Sequence, residues 1–204
     1  MGCFPFFIEL AGRPGLIAGG GEVALRKVER LLPYGPRLTM VAPRFHPALE
    51  ALPNLARAQR PFQTEDLEGM DFVVAATDDP QINRQIAGLC RSRRILVNAV
   101  DDREACTFLF PALVQRGSLS VGISTGGASP TAAQWLKEQV ESLLPQKLDS
   151  ILAWLEEQRP ALKTHCSDSA RRGALYARLF FLCLEVGGPP PGFSLAAFLK
   201  EEQI

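Results

Sequence analysis

The sequence predicts an α/β protein whose first half is a parallel sheet covered by helices on both faces. Between residues 14 and 102, short and nearly all-apolar segments alternate with segments of helical periodicity. Apolar strands separated by helices are typical of a doubly wound sheet, because the helices leave neither face of the strands in water. A run of three glycines, Gly19 to Gly21, separates the first apolar segment from the first helical one. The chain is therefore expected to begin its sheet with a strand, a glycine turn and a helix.

The strands of this sheet are expected where apolar runs end at turn residues. The five predicted strands are GLIAG, RLTMVAP, LARAQRP, DFVVAATDD and RILVNAVDD, of which the third is the weakest. A first helix, EVALRKVERLL, follows the glycines, and a second, PQINRQIAGLCRS, lies between the last two strands. The first helix has its apolar residues on one face, namely Val23, Leu25, Val28, Leu31 and Leu32. That face is expected to pack on the sheet.

The pattern changes after Asp102. The segments TFLFPALVQRG and SLSVGISTGG predict two strands joined by a turn at Gly117. The next segment, SPTAAQWLKEQVESLLP, predicts a helix with Ser129 as its N-cap and Pro130 at its first position. From Gln146 onward the pattern is helical, with interruptions expected at Pro160 and at the loop GGPPPG. A small α+β region and a helical region are therefore expected to follow the parallel sheet.

The composition argues against several kinds of partner. The 22 lysines and arginines balance the 22 aspartates and glutamates, so no overall field attracts nucleic acid or an anionic membrane. The five cysteines are scattered without a CxxC pair, which favours free thiols in a reducing compartment over a structural metal site. No apolar run approaches the roughly 20 residues that span a bilayer. We expect a cytoplasmic protein without a bound metal.

The glycine run fits the dinucleotide-binding pattern G-x-G-x-x-G/A at Gly19, Gly21 and Ala24. In a Rossmann-type domain the first glycine permits the tight turn and the second lets the backbone approach a pyrophosphate. The small third residue lets helix and strand pack closely, and the amino end of the helix attracts the phosphates. The loop is therefore expected to bind a dinucleotide, and the cofactor-binding residues are expected to be Gly19, Gly20, Gly21, Glu22, Val23 and Ala24. The alternative is a glycine-rich turn without a ligand.

One part of the dinucleotide pattern is missing. A carboxylate that binds the ribose hydroxyl is expected at the end of the second strand, where this chain has Ala42, Pro43 and Arg44. Pro43 is still expected beside the cofactor. Arg44 either meets a 2′-phosphate or is an ordinary solvated loop residue. The sequence therefore leaves open whether the cofactor is NAD or NADP.

Polar residues follow the fourth and fifth strands, at the edge of the sheet where ligands bind. Thr77 and Asp78 are expected to line the cofactor cleft, whereas Asp79 precedes Pro80 and is expected to cap a helix. Asp101 ends the fifth strand. A carboxylate at this edge can accept a proton from a bound ligand. The residues alone leave Asp101 open between a catalytic base and a turn or cap residue.

Four longer motifs carry a resemblance to a known family. They are FPFFIELAGRPGLIAGGGEVALRKVERLLPYGPRLTMVAP, VVAATDDPQIN, LVNAVDD and FLFPALVQRGSLSVGISTGGASP. In order and spacing they resemble the siroheme synthase N-terminal domain family, which comprises precorrin-2 dehydrogenases and sirohydrochlorin ferrochelatases, over about residues 4 to 145. The resemblance implies an NAD-binding domain over residues 1–111, a small dimerisation domain over 112–145 and a helical domain over 146–204. It also implies a homodimer.

The reaction that the resemblance implies is NAD-dependent oxidation of precorrin-2, a tetrapyrrole, to sirohydrochlorin. In some members insertion of ferrous iron as a second substrate follows and yields siroheme. The family's catalytic aspartate falls on Asp101. The expected substrate-binding residues are Asn98, Ser124, Gly126, Gly127 and Ser129. Because some relatives also contain a methyltransferase domain, which these residues lack, we expect another protein to supply precorrin-2.

Several points stay open at this stage. Many relatives have arginines on the helix after STGGASP, where this chain has Gln134 and Lys137, so the means of holding the substrate carboxylates is not evident. The glycines before that helix free the backbone for an anion, but the segment also fits a plain connection capped by Ser129. Two other functions are weighed against the dehydrogenase: a ferrochelatase with a vestigial dinucleotide site, and a sensor of dinucleotide or tetrapyrrole without turnover. A base at Asp101 is compatible with iron insertion or with its absence.

Overall fold

The computed structural model describes residues 3–53 and 55–202. The backbone divides into two compact units, one formed by Phe4–Phe110 and the other by the residues from Pro111 onward. The predicted end of the first domain at residue 111 stays a prediction. A further boundary between residues 145 and 146 stays a prediction.

The first unit is a parallel five-stranded sheet with the strand order β3-β2-β1-β4-β5. Its strands are β1 (Pro14–Ala18), β2 (Arg37–Val41), β3 (Ala56–Ala58), β4 (Phe72–Ala75) and β5 (Leu96–Ala99). Its helices are α1 (Glu22–Leu31), α2 (Pro47–Ala51) and α3 (Pro80–Ser92). All five predicted strands are present, and all pair in parallel. The predicted α/β class with a Rossmann-like parallel sheet is thereby confirmed.

Alternate residues of the central strands point to opposite faces of the sheet and build two separate cores. On one face Ile17 packs with Val74 and with Val28 of α1. On the other face Leu16 packs with Ile86 of α3. These side chains are at most 1% exposed, because a helix covers each face. Burial of each such side chain contributes about 1.5–3 kcal/mol to the free energy of unfolding.

The second unit begins with an antiparallel hairpin of β6 (Ala112–Arg116) and β7 (Leu119–Ile123). The turn contains Gly117 at φ +54°, where the sequence predicts it. Four helices follow, namely α4 (Pro130–Leu143), α5 (Leu148–His165), α6 (Ser169–Val186) and α7 (Leu195–Glu201). The last three enclose a core around Leu162 and Leu179, both fully buried.

One expectation for the second unit is wrong. Pro160 does not interrupt the chain's helical course but lies inside α5. Leu155 before it and Leu162 after it both pack in the core shared with α6 and α7. Packing on both sides of the proline therefore holds the two halves of α5 as one helix, although proline has no backbone N–H to donate to the preceding turn.

A search of the helices in the described parts of the chain finds none that combines the length and the apolarity needed to cross a membrane.

Candidate active site

The carboxyl ends of β1, β4 and β5 meet at a cavity of about 410 Å³. The cavity is lined by Gly21, Glu22, Val23, Arg26, Ala76, Thr77, Asp78, Pro80, Asn83, Arg84, Val100, Asp101 and Asp102. β1 lies at the centre of the sheet. From it the chain first adds β2 and β3 on one side and then β4 and β5 on the other. In open α/β sheets ligands bind at such a switch point, outside the carboxyl ends of the strands.

The three glycines after β1 differ in what surrounds them. Gly19 has φ +133°, and a Cβ there would lie 2.1 Å from the carbonyl oxygen of Ala76. A Cβ on Gly20 would lie 2.1 Å from the carbonyl oxygen of Arg44. Gly21, by contrast, has no atom within 4 Å of its Cβ position and lines the cavity. The first two glycines are therefore required by the protein's own packing, while the third leaves space for a ligand.

The amino end of α1 adjoins the cavity without a capping side chain. Its N-cap is Gly21, which has none to offer. Five other helices are capped by a side chain, from His46, Asp79, Ser129, Asp168 and Ser194 respectively. The first-turn N–H groups of a helix are hydrogen-bond donors without partners inside the helix, and they lie at its positive dipole end. The amino end of α1 is therefore suited to bind an anion such as a phosphate.

A buried asparagine fixes the turn after β4. Asn83 of α3 is 4% exposed, and its Oδ1 accepts hydrogen bonds from the Thr77 N–H at 3.0 Å and the Thr77 hydroxyl at 2.8 Å. Its Nδ2 donates to the Thr77 carbonyl oxygen at 3.1 Å. Asp79 accepts from the Gln81 N–H at 2.8 Å, which confirms its expected capping role. The backbone of Thr77 is thus held rigidly at the cavity wall.

The turn after β5 carries two consecutive carboxylates at the cavity. Asp101 is exposed and has φ +59°, in the left-handed region. Asp102 accepts from Arg84 Nε at 2.6 Å, and this hydrogen bond is the main cause that lowers the pKa of Asp102. One carboxylate is therefore held by an arginine, while its neighbour Asp101 is exposed at the cavity.

A half-buried lysine lies on the next turn of α1. Lys27 Nζ is 3.9 Å from the centroid of the Phe110 ring. Burial, and then the charge of Arg30, lower the pKa of Lys27 to about 8, while Asp101 acts in the opposite direction. Lys27 is therefore a cation of α1 whose pKa burial brings closer to neutrality.

The structure brings together six of the residues that the sequence assigns to the site. Those that line the cavity are Gly21, Glu22, Val23, Thr77, Asp78 and Asp101. Gly19, Gly20, Ala24 and Pro43 do not line it; Ala24 is fully buried against the sheet. Their assignment to a cofactor stays a prediction.

The residues assigned to the substrate are not among those that line the cavity. Asn98 is 6% exposed and donates from Nδ2 to the Phe108 carbonyl oxygen at 3.1 Å. Ser124, Gly126, Gly127 and Ser129 belong to the second unit, between β7 and α4. Ser129 accepts from the Ala132 N–H at 3.1 Å as the N-cap of α4. Contact of these residues with a substrate stays a prediction.

Three polar cavity residues, Arg26, Asn83 and Arg84, were not anticipated from the sequence. Arg26 could have been found from its spacing, since it lies four residues after Glu22 and shares its helix face. Asn83 is a polar residue on the otherwise apolar buried face of α3. Arg84 and Asp102 are 18 residues apart, and no local pattern pairs them. Within the described residues no group of three or more histidine, cysteine or acidic side chains is arranged to hold a metal ion.

Comparison with known families gives two matches along the chain. The family described as "Putative NAD(P)-binding" matches residues 6–112. The family described as "Sirohaem biosynthesis protein central" matches residues 116–143. The first covers the parallel sheet and the cavity, and the second covers the hairpin from the last residue of β6 onward and the whole of α4.

Curated relatives are siroheme synthases. Those of Methylobacillus flagellatus and Thioalkalivibrio sulfidiphilus are 37% and 38% identical over 183 and 182 residues, each alignment covering 88% of this chain. The alignments cover 39% and 37% of the relatives, so the chain spans about two fifths of their length. Among solved structures, "SirC, precorrin-2 dehydrogenase" is similar with a TM-score of 0.68 and 28% identity, over 87% of this chain and 89% of that one.

Proposed function

The chain belongs to the siroheme synthase N-terminal domain family, and on that basis we propose that it oxidises precorrin-2 to sirohydrochlorin with a nicotinamide dinucleotide. One observation supports this proposal more than any other. The open glycine of the dinucleotide turn, Gly21, and the exposed carboxylate of Asp101 line the same cavity. A site for the hydride acceptor and a group for the proton thus occur side by side.

The residues of the cavity fit a dinucleotide. Gly21 leaves space where a side chain would exclude a phosphate, and no side chain caps the first turn of α1. We propose that the N–H groups of Glu22 and Val23 hold the pyrophosphate, with Thr77 and Asp78 forming the opposite wall. When bound there, the nicotinamide supplies a two-electron acceptor for hydride.

We propose NAD as the dinucleotide, as in the family. The loop after β2 has no carboxylate for the ribose, and Arg44 there is exposed. If Arg44 instead binds a 2′-phosphate, NADP binds more tightly than NAD, and Arg44→Ala loses that preference. Titration of both dinucleotides into the parent and the variant distinguishes the two cofactors.

Asp101 is proposed as the proton acceptor. Conversion of precorrin-2 to sirohydrochlorin removes one hydride and one proton, so a single base beside the substrate is sufficient. The Asp101 carboxylate is exposed at the cavity, and no described side chain pairs with it at hydrogen-bond distance. It can therefore approach a tetrapyrrole without first breaking an ion pair.

We further propose that the protein works as a homodimer in the cytoplasm. Helix α4 has three exposed large apolar side chains, Trp135, Leu136 and Leu143, which are 57%, 41% and 81% exposed. A second copy of the chain would remove them from water. Cys90, Cys106, Cys166 and Cys183 are free thiols, as in proteins of reducing compartments.

The decisive experiment is turnover of precorrin-2 by the purified parent and by Asp101→Asn, followed through reduction of the dinucleotide. The variant keeps the size of the side chain but loses its basicity. We expect turnover to fall about 10²–10⁴-fold, as for a lost general base, with little change in NAD affinity. Asp71→Asn is the control, because Asp71 is an exposed carboxylate at the amino end of β4, outside the cavity.

Each other outcome has a definite meaning. Near-parental turnover by Asp101→Asn would remove Asp101 from the oxidation. Absence of oxidation by the parent with either dinucleotide would refute the dehydrogenase and leave the ferrochelatase and the sensor without turnover. A parallel reaction of sirohydrochlorin with ferrous iron measures siroheme formation, which is the ferrochelatase alternative.

A further inference from the structure

Asp101 has a backbone conformation that its own side chain does not explain. Its φ of +59° lies in the left-handed region, which it shares with Arg94 alone among the described residues other than glycine. L-residues enter this region at an energetic cost, and aspartate is among the few that tolerate it. A conformation of this kind persists where surrounding contacts hold it.

The carboxylate of Asp102 supplies the first of these contacts. Its Oδ2 accepts from Arg84 Nε of α3 at 2.6 Å, and its Oδ1 accepts from the Ala105 N–H at 3.1 Å. The Arg84 hydrogen bond, with the Ala105 N–H second, holds the pKa of Asp102 below its ordinary value. Asp102 is therefore ionised at neutral pH and fastens the residue after Asp101 to a neighbouring helix.

The thiol of Cys106 supplies the second group of contacts around Asp101. Its Sγ accepts from the Ala99 N–H at 3.2 Å and lies 3.2 Å from the carbonyl oxygens of both Ala99 and Asp102. Burial is the main cause that raises the pKa of Cys106, so the thiol keeps its proton and can donate to one of these carbonyls. Cys106 therefore joins the backbone on the two sides of Asp101.

We propose that Asp102 and Cys106 are positioning residues that hold Asp101 in its left-handed conformation, so that its carboxylate stands at the cavity. We call Arg84, Asp102 and Cys106 the Asp101 clamp. The two contacts come from different parts of the chain, one from α3 and one from the segment after β5. The effect on turnover rests on the proposed function, whereas the effect on the conformation of Asp101 does not.

The test compares two aspartates with the same kind of contacts. Asp66 also accepts from an arginine, Arg60 Nη1 at 2.9 Å, and from a backbone N–H, that of Gln63 at 2.8 Å, but it lies outside the cavity. Asp102→Asn is expected to lower kcat for precorrin-2 about 10–100-fold, as for a reacting group displaced by about 1 Å. Its KM and the Kd of NAD should stay within about 2–3-fold of the parent, within the usual context dependence of binding contributions. Asp66→Asn should leave kcat at the parental value even if its Tm falls.

Two substitutions of Cys106 give a second, independent comparison. Cys106→Val removes the hydrogen bonds at similar volume and should lower kcat, whereas Cys106→Ser keeps a donor and an acceptor and should restore most of it. A rise in KM at unchanged kcat in Asp102→Asn would assign Asp102 to binding and overturn the proposal. An equal loss of kcat in Cys106→Val and Cys106→Ser would overturn the proposed positioning role of Cys106.

A measurement without substrate separates this proposal from the proposed function. Backbone NMR chemical shifts of residue 101, with its three-bond HN–Hα coupling, distinguish a left-handed from an ordinary φ in labelled parent and variant proteins. We expect the left-handed signature in the parent and in Asp66→Asn, and its loss in Asp102→Asn and Cys106→Val. Retention of that signature in both clamp variants would refute the clamp. Lack of precorrin-2 oxidation by the parent would refute the proposed function alone.

Discussion

At the scale of single residues, the three consecutive glycines after β1 have different tasks. Gly19 and Gly20 are enclosed by the protein's own backbone, whereas Gly21 borders the cavity with open space at its Cβ position. Substitutions in one short motif should therefore separate stability from binding.

Gly21→Asp should abolish dinucleotide binding and leave the fold intact. The new side chain has room, but it places a negative charge where a pyrophosphate must approach the amino end of α1. Calorimetric titration with NAD measures the loss, and the Tm is expected to stay near the parental value. Gly88→Asp is the matched control, because Gly88 of α3 also has no atom within 4 Å of its Cβ position and lies outside the cavity. Parental affinity in Gly21→Asp would mean that the cofactor does not use this turn.

Gly20→Ala should behave in the opposite way. Its Cβ would lie 2.1 Å from the Arg44 carbonyl oxygen and 2.9 Å from the Ala42 Cβ, so the loop after β2 must shift. We expect a loss of about 1–3 kcal/mol in the free energy of unfolding, measured by urea denaturation. An unchanged urea midpoint in Gly20→Ala would show that the loop after β2 can shift without loss of stability.

The sequence predicted the positions of the site residues better than their contacts. Asp101 was expected at the end of a strand, and the structure places it at the cavity. Its left-handed backbone has no sequence signal, because that region is more often occupied by glycine. The pairing of Arg84 with Asp102 likewise depends on how α3 packs beside β5, which a linear pattern does not contain.

At the scale of elements, alternation of apolar and helical segments was sufficient to predict every strand and most helices. Helix α2 was missed because its five residues are too few to show a period. It is held instead by tertiary contacts, since Arg57 of β3 donates from Nε to the Leu49 carbonyl oxygen at 3.0 Å. Tertiary contacts also explain the wrong expectation of a break at Pro160. Core packing on both sides of the proline overrides its low helix propensity.

Pro160→Ala should stabilise the second unit. A proline inside a helix is about 3 kcal/mol less favourable than alanine, and the reduced freedom of the unfolded chain returns only about 1 kcal/mol of that difference. We expect a net gain of roughly 2 kcal/mol in the free energy of unfolding by urea denaturation. Ala161→Gly, one residue further along α5, should lower stability and serves as the control of opposite sign. A lower stability of Pro160→Ala would show that the proline is required for the course of α5.

At the scale of the whole molecule, the exposed apolar side chains of α4 carry the proposed interface between two copies. Trp135→Glu should convert a dimer, at twice the 22.3 kDa of one chain, into a monomer, because a buried charge without a partner is costly. Light scattering after gel filtration, over a range of concentrations, measures the mass. Phe181→Glu is the control, since Phe181 of α6 is equally exposed at 59% but lies outside α4. A parent that is monomeric at every concentration would refute the homodimer.

The central place of β1 in the sheet has a consequence for how the protein is made. β1 pairs with β2 on one side and with β4 on the other, and Gly15 is opposite Phe72. A ribosome that adds about 5–20 residues per second completes β1 several seconds before β4 and β5 emerge. During that interval one edge of β1, whose last four residues are buried in the folded sheet, has no partner. The nascent chain is therefore expected to need shielding by chaperones until β4 pairs with β1.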